Sequence, residues 1–270
     1  MDTNETLFGG SVPDAYREYL EPVIFRPWAE RLVDFVGVAQ GQTVLDVATG
    51  TGVAARAAAA RAGQSGRVIA SDFSAAMLAQ VARGPTNGDA ALEILECSAT
   101  GLRLADDAVD VVVCQQGFQF IPDRRAAAVE MHRVLRQGGK VGIAVWLSSR
   151  RVEPFIVYGE ALQAHGLPEP FAGAYDSSML SMSAEEIEEA LASAGFASVE
   201  VRVEQVGLDW PDPTSAARGI MGTPYGPVIA ALDNAAQQEI MAEVQRRMTS
   251  PDGRAVRHVM TSVLARATAP

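Results

Sequence analysis

The chain has 270 residues, is 48% hydrophobic and carries a formal net charge of −11, which suits one large domain with a sizeable core and disfavours nucleic acid as a partner. No apolar run reaches the ~18 to 20 residues that a membrane span needs, and the opening "MDTNETLFGG" is too acidic and polar for a secretory signal. Cys97 and Cys114 lie in apolar segments without metal-ligand spacing, so both read as reduced thiols of a cytoplasmic protein.

In chain order, "VPDAYREYLEPVIFRPWAERLVDFVGVAQG" reads as N-terminal helices broken at Pro22 and Pro27. "TVLDVA" is a strand, and "VAARAAAARAG" a helix closed by Gly63. "GRVIASD" is a strand, followed by "SAAMLAQVARG", a helix capped by Ser74 and ended by Gly84. "ALEILECSA" and "AVDVVVCQQ" are strands, "DRRAAAVEMHRVLRQGG" a helix with Asp123 as its cap, and "KVGIAVW" a fifth strand. Residues 147–182 break the rhythm and concentrate aromatics and methionine. "SAEEIEEALASAGF" resumes it as a helix between Ser183 and Gly195, and "SVEVRVEQVGL" is a strand. A second irregular stretch includes the amphipathic "NAAQQEIMAEVQRRM", and "RHVMTSVLARAT" closes the sheet.

Several strands are nearly unbroken apolar runs, the mark of strands covered on both faces. The expectation is therefore an α/β fold with a doubly wound, mostly parallel seven-stranded sheet and helical cap insertions. The division predicted is an N-terminal helical lid over 1–40, a core over 41–147, a cap insertion over 148–182, a core helix and strand over 183–210, a second insertion over 211–254 and a closing strand over 255–270.

"DVATGTG" ends the first strand, where ligands of open α/β sheets bind. Gly50 and Gly52 let the backbone approach a ligand, and the helix that follows, starting near Thr51, offers N–H groups to an anion. Gly50-x-Gly52-x-x-Ala55 with Asp72 further on also fits a dinucleotide fingerprint. Asp46 separates the two readings. A carboxylate before the loop repels a pyrophosphate but attracts the ammonium group of S-adenosylmethionine.

Four segments in order resemble the class I S-adenosylmethionine-dependent methyltransferases, of the UbiE-like or methyltransferase type 11 group. "VLDVATGTG" resembles their glycine-rich first motif with Ala48 in place of its first glycine. "VIASDFSAAML" resembles the second strand with its ribose-binding acid, "ECSATGLRLADDAVDVVVCQQGFQFIPD" the stretch GDAxxLPFxDxxFDxV, and "EMHRVLRQGGKVGIAVW" the segment ExxRVLxPGG with Gln137 in place of proline. The resemblance covers roughly residues 7–150 and implies a Rossmann-like methyltransferase fold, S-adenosylmethionine as cofactor and a small-molecule methyl acceptor.

By position, the resemblance implies that Asp46, Ala48, Thr49, Gly50 and Gly52 form the loop around the cofactor. Asp72, at the sheet's rim, binds both ribose hydroxyls. Phe73 and Met77 line the adenine, and Ser98 stands where the family has Asp, beside Ala99. Gln115 and Gln116 end the fourth strand at the crevice. Methyl transfer needs alignment and a dry pocket, and a general base only for a protonated nucleophile. His132 and His258 read as structural. His165 in the first insertion, Tyr19 on the N-terminal segment with Tyr16 beside it, and Gln116 are the candidates to meet the acceptor. No carboxylate cluster suggests a metal. Trp146, Phe155, Tyr158, Phe171, Tyr175, Met179, Met182, Trp210, Met221 and Tyr225 lie in or near the insertions, where they suit an apolar acceptor pocket or the cap's own core. The competing readings are an NAD-dependent oxidoreductase and a non-catalytic S-adenosylmethionine-binding protein. The oligomeric state stays open, with a homodimer one option.

Overall fold

The apolar runs assemble into one seven-stranded sheet in the order β3-β2-β1-β4-β5-β7-β6. The computed structural model describes residues 12–81, 89–148, 152–168 and 181–270; Gly84, Phe171, Tyr175 and Met179 lie outside them. The strands are β1 Thr43–Val47, β2 Arg67–Asp72, β3 Ala91–Glu96, β4 Val109–Gln115, β5 Leu135–Trp146, β6 Ala197–Leu208 and β7 His258–Thr268. β1 to β5 pair in parallel, and β7 runs antiparallel to both β5 and β6. From β1 the chain winds outward through β2 to β3, then returns to β4 on the other side of β1. That reversal opens a crevice beyond the carboxyl ends of β1 and β4.

The continuous apolar run of β4 explains the layers. Successive side chains of a strand point to opposite faces. Val111 and Val113 join one core cluster, with Leu32 and Val36 of helix α2 and Ala55 and Ala58 of helix α3. Val112 and Cys114 join the other, with Met131 of α5 and Ile187 and Leu191 of α7. Both faces are therefore dry, as the alternation-free sequence requires.

The helices are α1 Val12–Ala15, α2 Arg26–Val36, α3 Val53–Ala62, α4 Ala75–Val81, α5 Arg124–Val134, α6 Phe155–Ala164, α7 Ala184–Ser193, α8 Pro213–Arg218, α9 Tyr225–Ala230 and α10 Asn234–Arg247. Short polar side chains start several of them. Asp123 accepts from Ala126 N–H at 2.9 Å and Asp233 from Ala236 N–H at 2.9 Å, and Ser183 forms a reciprocal capping box with Glu186.

Two expectations need correction. The N-terminal segment is not broken at its prolines. A π-helix spans Tyr16–Phe25 with Pro22 inside it and runs directly into α2, where Pro27 occupies the first turn. Proline lacks an N–H, so a widened helix and a helix start both tolerate it. Further along, α5 stops at Val134 and β5 begins at Leu135, so "LRQGG" is strand rather than helix.

The second insertion meets the N-terminal segment backbone to backbone. Tyr158 of α6 donates to the Ala216 carbonyl at 2.6 Å, joining the two insertions. A Cβ on Gly222 would stand 2.6 Å from Tyr16 N and 2.7 Å from Tyr16 Cα, too close for real atoms. Gly222→Ala must therefore push the N-terminal helix off its seat. An overpacked contact of this kind costs ~1–3 kcal/mol, and urea denaturation of the variant should show a loss in that range.

Candidate active site

The loop Ala48–Gly52 leaves β1 in a left-handed conformation, with positive φ at Ala48 (54°), Gly50 (55°) and Gly52 (87°). Thr49 N–H donates to Ser71 O at 2.9 Å, so the loop leans on the end of β2. The two glycines serve different ends. A Cβ on Gly50 would meet nothing within 4 Å, so this position is open towards the crevice. A Cβ on Gly52 would stand 3.0 Å from Val81 and 3.1 Å from Arg56; Gly52, expected among the cofactor residues, packs the start of α3 and is not in the cavity lining. Ala48 takes the left-handed turn as a non-glycine. Its methyl fills the space that a Cβ on Gly117 would need, 2.6 Å away.

Asp46 lies beneath this loop, fully enclosed. Its Oδ2 accepts from Thr49 Oγ1 at 2.6 Å, while Oδ1 has no hydrogen-bond partner. Burial dominates its ionisation and pushes the carboxyl up to about 7. Asp72 ends β2 and is only 7% exposed, hence deeper than a rim position. Its Oδ2 accepts from Gly50 N–H and its Oδ1 from Ser74 N–H, both at 2.9 Å. Burial raises this carboxyl too, against the lowering effect of those N–H groups.

A cavity of about 360 Å³ opens over these groups. Asp46, Ala48, Thr49, Gly50, Asp72, Phe73, Met77, Ser98, Ala99, Gln115 and Gln116 all line it, so the structure gathers at one place nearly every residue expected to meet the cofactor. Phe73 is 41% exposed at the mouth. Ser98 Oγ lies 2.9 Å from Thr100 Oγ1. Two groups of the "EMHRVL" segment anchor the chain just beyond: Glu130 Oε2 accepts from Leu102 N–H at 2.8 Å, and Arg133 donates to Leu102 O at 2.9 Å.

The rest of the cavity is largely apolar. Leu20, Phe25, Trp146, Val152 and Phe155 line it with Tyr16 and the second insertion's Thr223 and Pro224. Gln115 Nε2 donates to Phe25 O at 2.7 Å, and Gln116 Nε2 to Ser262 Oγ at 3.1 Å, leaving both Oε1 atoms without a partner. Among the described lining residues, Asp46 and Asp72 are the only charged side chains. Burial, with Glu21 and Asp72 nearby, holds the Tyr16 phenol well above its ordinary range.

Two expected acceptor contacts are not in the cavity. His165 is exposed after the last turn of α6. Tyr19 points elsewhere: its hydroxyl accepts from Arg218 at 3.4 Å, and that guanidinium lies over its ring. Tyr16 occupies the place proposed for Tyr19. His132 packs edge-on against Phe196 in the framework, at 5.0 Å between ring centroids.

Comparison with known proteins places these features in a group. The sequence profile of the ubiE/COQ5 methyltransferase family matches residues 14–208. The ubiquinone/menaquinone biosynthesis C-methyltransferase UbiE of Klebsiella pneumoniae subsp. pneumoniae is 30% identical over 159 residues, a match covering 57% of this chain and 62% of that protein. The chain thus spans less than two thirds of that relative. The demethylmenaquinone methyltransferase of Clavibacter sepedonicus is 32% identical, over 67% of this chain and 76% of its own length. In overall fold the chain is similar to a phosphoethanolamine N-methyltransferase of Haemonchus contortus solved with S-adenosylhomocysteine, with a TM-score of 0.60 and 19% identity over 96% of this chain and 57% of that one. It is also similar to a SAM-dependent methyltransferase from Aquifex aeolicus, with a TM-score of 0.53 and 21% identity over 73% and 94%.

The state of Asp46 sets a pH dependence. Its folded value of about 7 lies above the ordinary 3.8, so the folded protein holds an extra proton between the two and its stability falls as pH rises through about 7. A cationic ligand group needs the ionised form. S-adenosylhomocysteine should bind more tightly at pH 7 than at pH 6 and release a proton at pH 6, read by calorimetry in buffers of different ionisation heat. Asp46→Asn should abolish both effects.

Proposed function

The chain belongs to the ubiE/COQ5 methyltransferase family, and from that membership we propose that it transfers a methyl group from S-adenosylmethionine to a small, largely apolar acceptor by in-line attack. The observation that carries this reading is one cavity that combines two buried carboxylates beside the loop with a broad apolar wall. We take the side of Asp46 and Asp72 as its cofactor end and the wall of Leu20, Phe25, Trp146, Val152 and Phe155 as its acceptor end; no other described lining side chain is charged.

The residues present fit the cofactor. Asp46 keeps a buried oxygen without a partner, suited to an ammonium group directly or through water. Gly50 leaves open space where a backbone must approach a ligand. Asp72 spends one acceptor site of each oxygen on the chain and retains capacity for two adjacent hydroxyls. Phe73 and Met77 are placed to cover the adenine, and Ser98 and Ala99 to meet its edge. When bound, S-adenosylmethionine supplies an electrophilic methyl group on a sulfonium. A pyrophosphate would meet two carboxylates in the same space, which disfavours the NAD-dependent reading.

The chain's own contribution to the chemistry is positioning and exclusion of water. The apolar wall desolvates the acceptor. Gln116 offers an amide to orient it. Tyr16 keeps its proton, because burial beside Glu21 and Asp72 disfavours the phenolate; it donates a hydrogen bond and does not serve as a resting base. No histidine or lysine is among the described lining residues. An acceptor that brings its own electron-rich atom, such as an activated ring carbon or an acidic hydroxyl, suits this lining. The relatives are named for C-methylation in ubiquinone and menaquinone biosynthesis and for demethylmenaquinone, and a quinone-type ring on an apolar tail suits the uncharged aromatic wall here.

Calorimetry tests the cofactor: S-adenosylhomocysteine should bind at micromolar affinity or better and NAD far more weakly, and the reverse order would sink the assignment. Asp72→Ala should weaken S-adenosylhomocysteine at least tenfold, since a hydrogen bond to a charged group is worth ~1.5–3 kcal/mol. Because Asp72 also holds Gly50 N–H and Ser74 N–H, the variant should melt at a lower temperature without ligand. Turnover with a demethylnaphthoquinol, followed by mass analysis of the product, tests the acceptor class.

A further inference from the structure

Tyr16, Leu20 and Phe25 all face the cavity, and the rings of Tyr16 and Phe25 stack at 4.5 Å between centroids. Nine residues make about two and a half turns of an α-helix, which would put these two rings on opposite sides of the segment. The π-helix closes its hydrogen bonds over five residues rather than four, and the wider turn returns both rings to one side. Pro22 inside the segment gives a local cause, because its ring would collide with the preceding turn of an α-helix. The winding thus builds the aromatic wall of the acceptor end.

The same segment is fastened to the cofactor loop by a buried polar contact. Glu21 is 4% exposed. Its Oε2 accepts from Thr51 Oγ1 at 2.7 Å, and its Oε1 pairs with the Arg56 guanidinium. Arg56 donates in turn to Thr51 O at 2.8 Å. Thr51 sits between Gly50 and Gly52 and does not line the cavity. Two further bonds tie this region to the cofactor half: Gln115 to Phe25 O at 2.7 Å, and Gln80 of α4 to Asp14 at 2.7 Å. A buried ion pair adds little net stability compared with an apolar replacement, and its best-attested use is to fix register.

We propose that Glu21 is a positioning residue that locks the π-helical wall of the acceptor end to the glycine-rich loop, so that occupation of one end of the cavity changes affinity at the other. The proposal rests on the reading that the loop end takes S-adenosylmethionine. A ligand that settles on the loop fixes Thr51, Thr51 fixes Glu21, and Glu21 sets where Tyr16 and Phe25 stand. Coupling of this kind is reciprocal.

The test is a coupling measurement on the full chain. N-phenyl-1-naphthylamine, a neutral apolar fluorophore, is titrated with and without saturating S-adenosylhomocysteine, whose own binding is followed by calorimetry. In the wild type, S-adenosylhomocysteine should change the probe's affinity at least fivefold. The double variant Glu21→Met/Arg56→Met removes the link while keeping apolar volume, and Thr51→Val removes only the hydroxyl. Each should bind both ligands singly but show a coupling factor below twofold. A purely structural role would lower the melting temperature without moving that factor. Wild-type coupling in both variants overturns the proposal, as does a wild type that binds S-adenosylhomocysteine with no effect on the probe, or takes up no probe. A wild type that binds no S-adenosylhomocysteine overturns the cofactor reading along with it, so the two failures are distinct.

Discussion

The carboxylate of Asp72 accepts one N–H from the loop after β1 and one from the start of α4, and so ties two crossovers of the sheet at a single buried point. Much of the crevice follows from that tie. It keeps Gly50 in its left-handed turn, and the turn keeps Thr49 over Asp46 and Thr51 against Glu21. Parallel pairing of β1 with β2 sets Asp46 opposite Ala70 and Val47 opposite Ser71, which brings both acids to the same end of the sheet.

The core was readable because its signals are local and redundant. The unbroken apolar runs of β1 and β4, Gly63 after α3, Asp123 before α5 and the Ser183–Glu186 pair each state an element within a few residues. That Asp46, Gly50 and Asp72 would meet at one cavity was readable for a related reason. Asp46, Gly50 and Asp72 stand at strand ends, and a strand end in a doubly wound sheet has only one place to be. Gly52 shows the limit of that logic: two glycines two residues apart look alike in a motif, yet only Gly50 lines the cavity.

The apolar wall of the cavity was less readable. It is built from the N-terminal segment, from β5 and from both insertions, and no spacing in the chain joins Leu20 to Trp146 or Thr223. The choice between Tyr16 and Tyr19 turned on helix type. Two prolines signalled a break, whereas the backbone widened and continued, and the stripe of residues facing inward changed with it. His165 looked functional because it lies in the first insertion, but a residue just past a helix end in an exposed turn has nothing to hold it against a pocket. Glu21 had no signal at all. A glutamate inside an amphipathic segment reads as solvated until its partners, 30 and 35 residues away, are seen.

The contact between Ala48 and Gly117 bears on how this site can change over generations. The methyl of Ala48 and a β-carbon at 117 would compete for one space, so the two positions do not vary independently. A chain with glycine at 48 is free to try a side chain at 117, beside Gln116 in the cavity lining. Once 48 has gained its methyl, that avenue closes until the methyl is lost again. The order of substitutions then matters as much as their identity, and an alanine at 48 restricts which side chains this part of the cavity wall can gain.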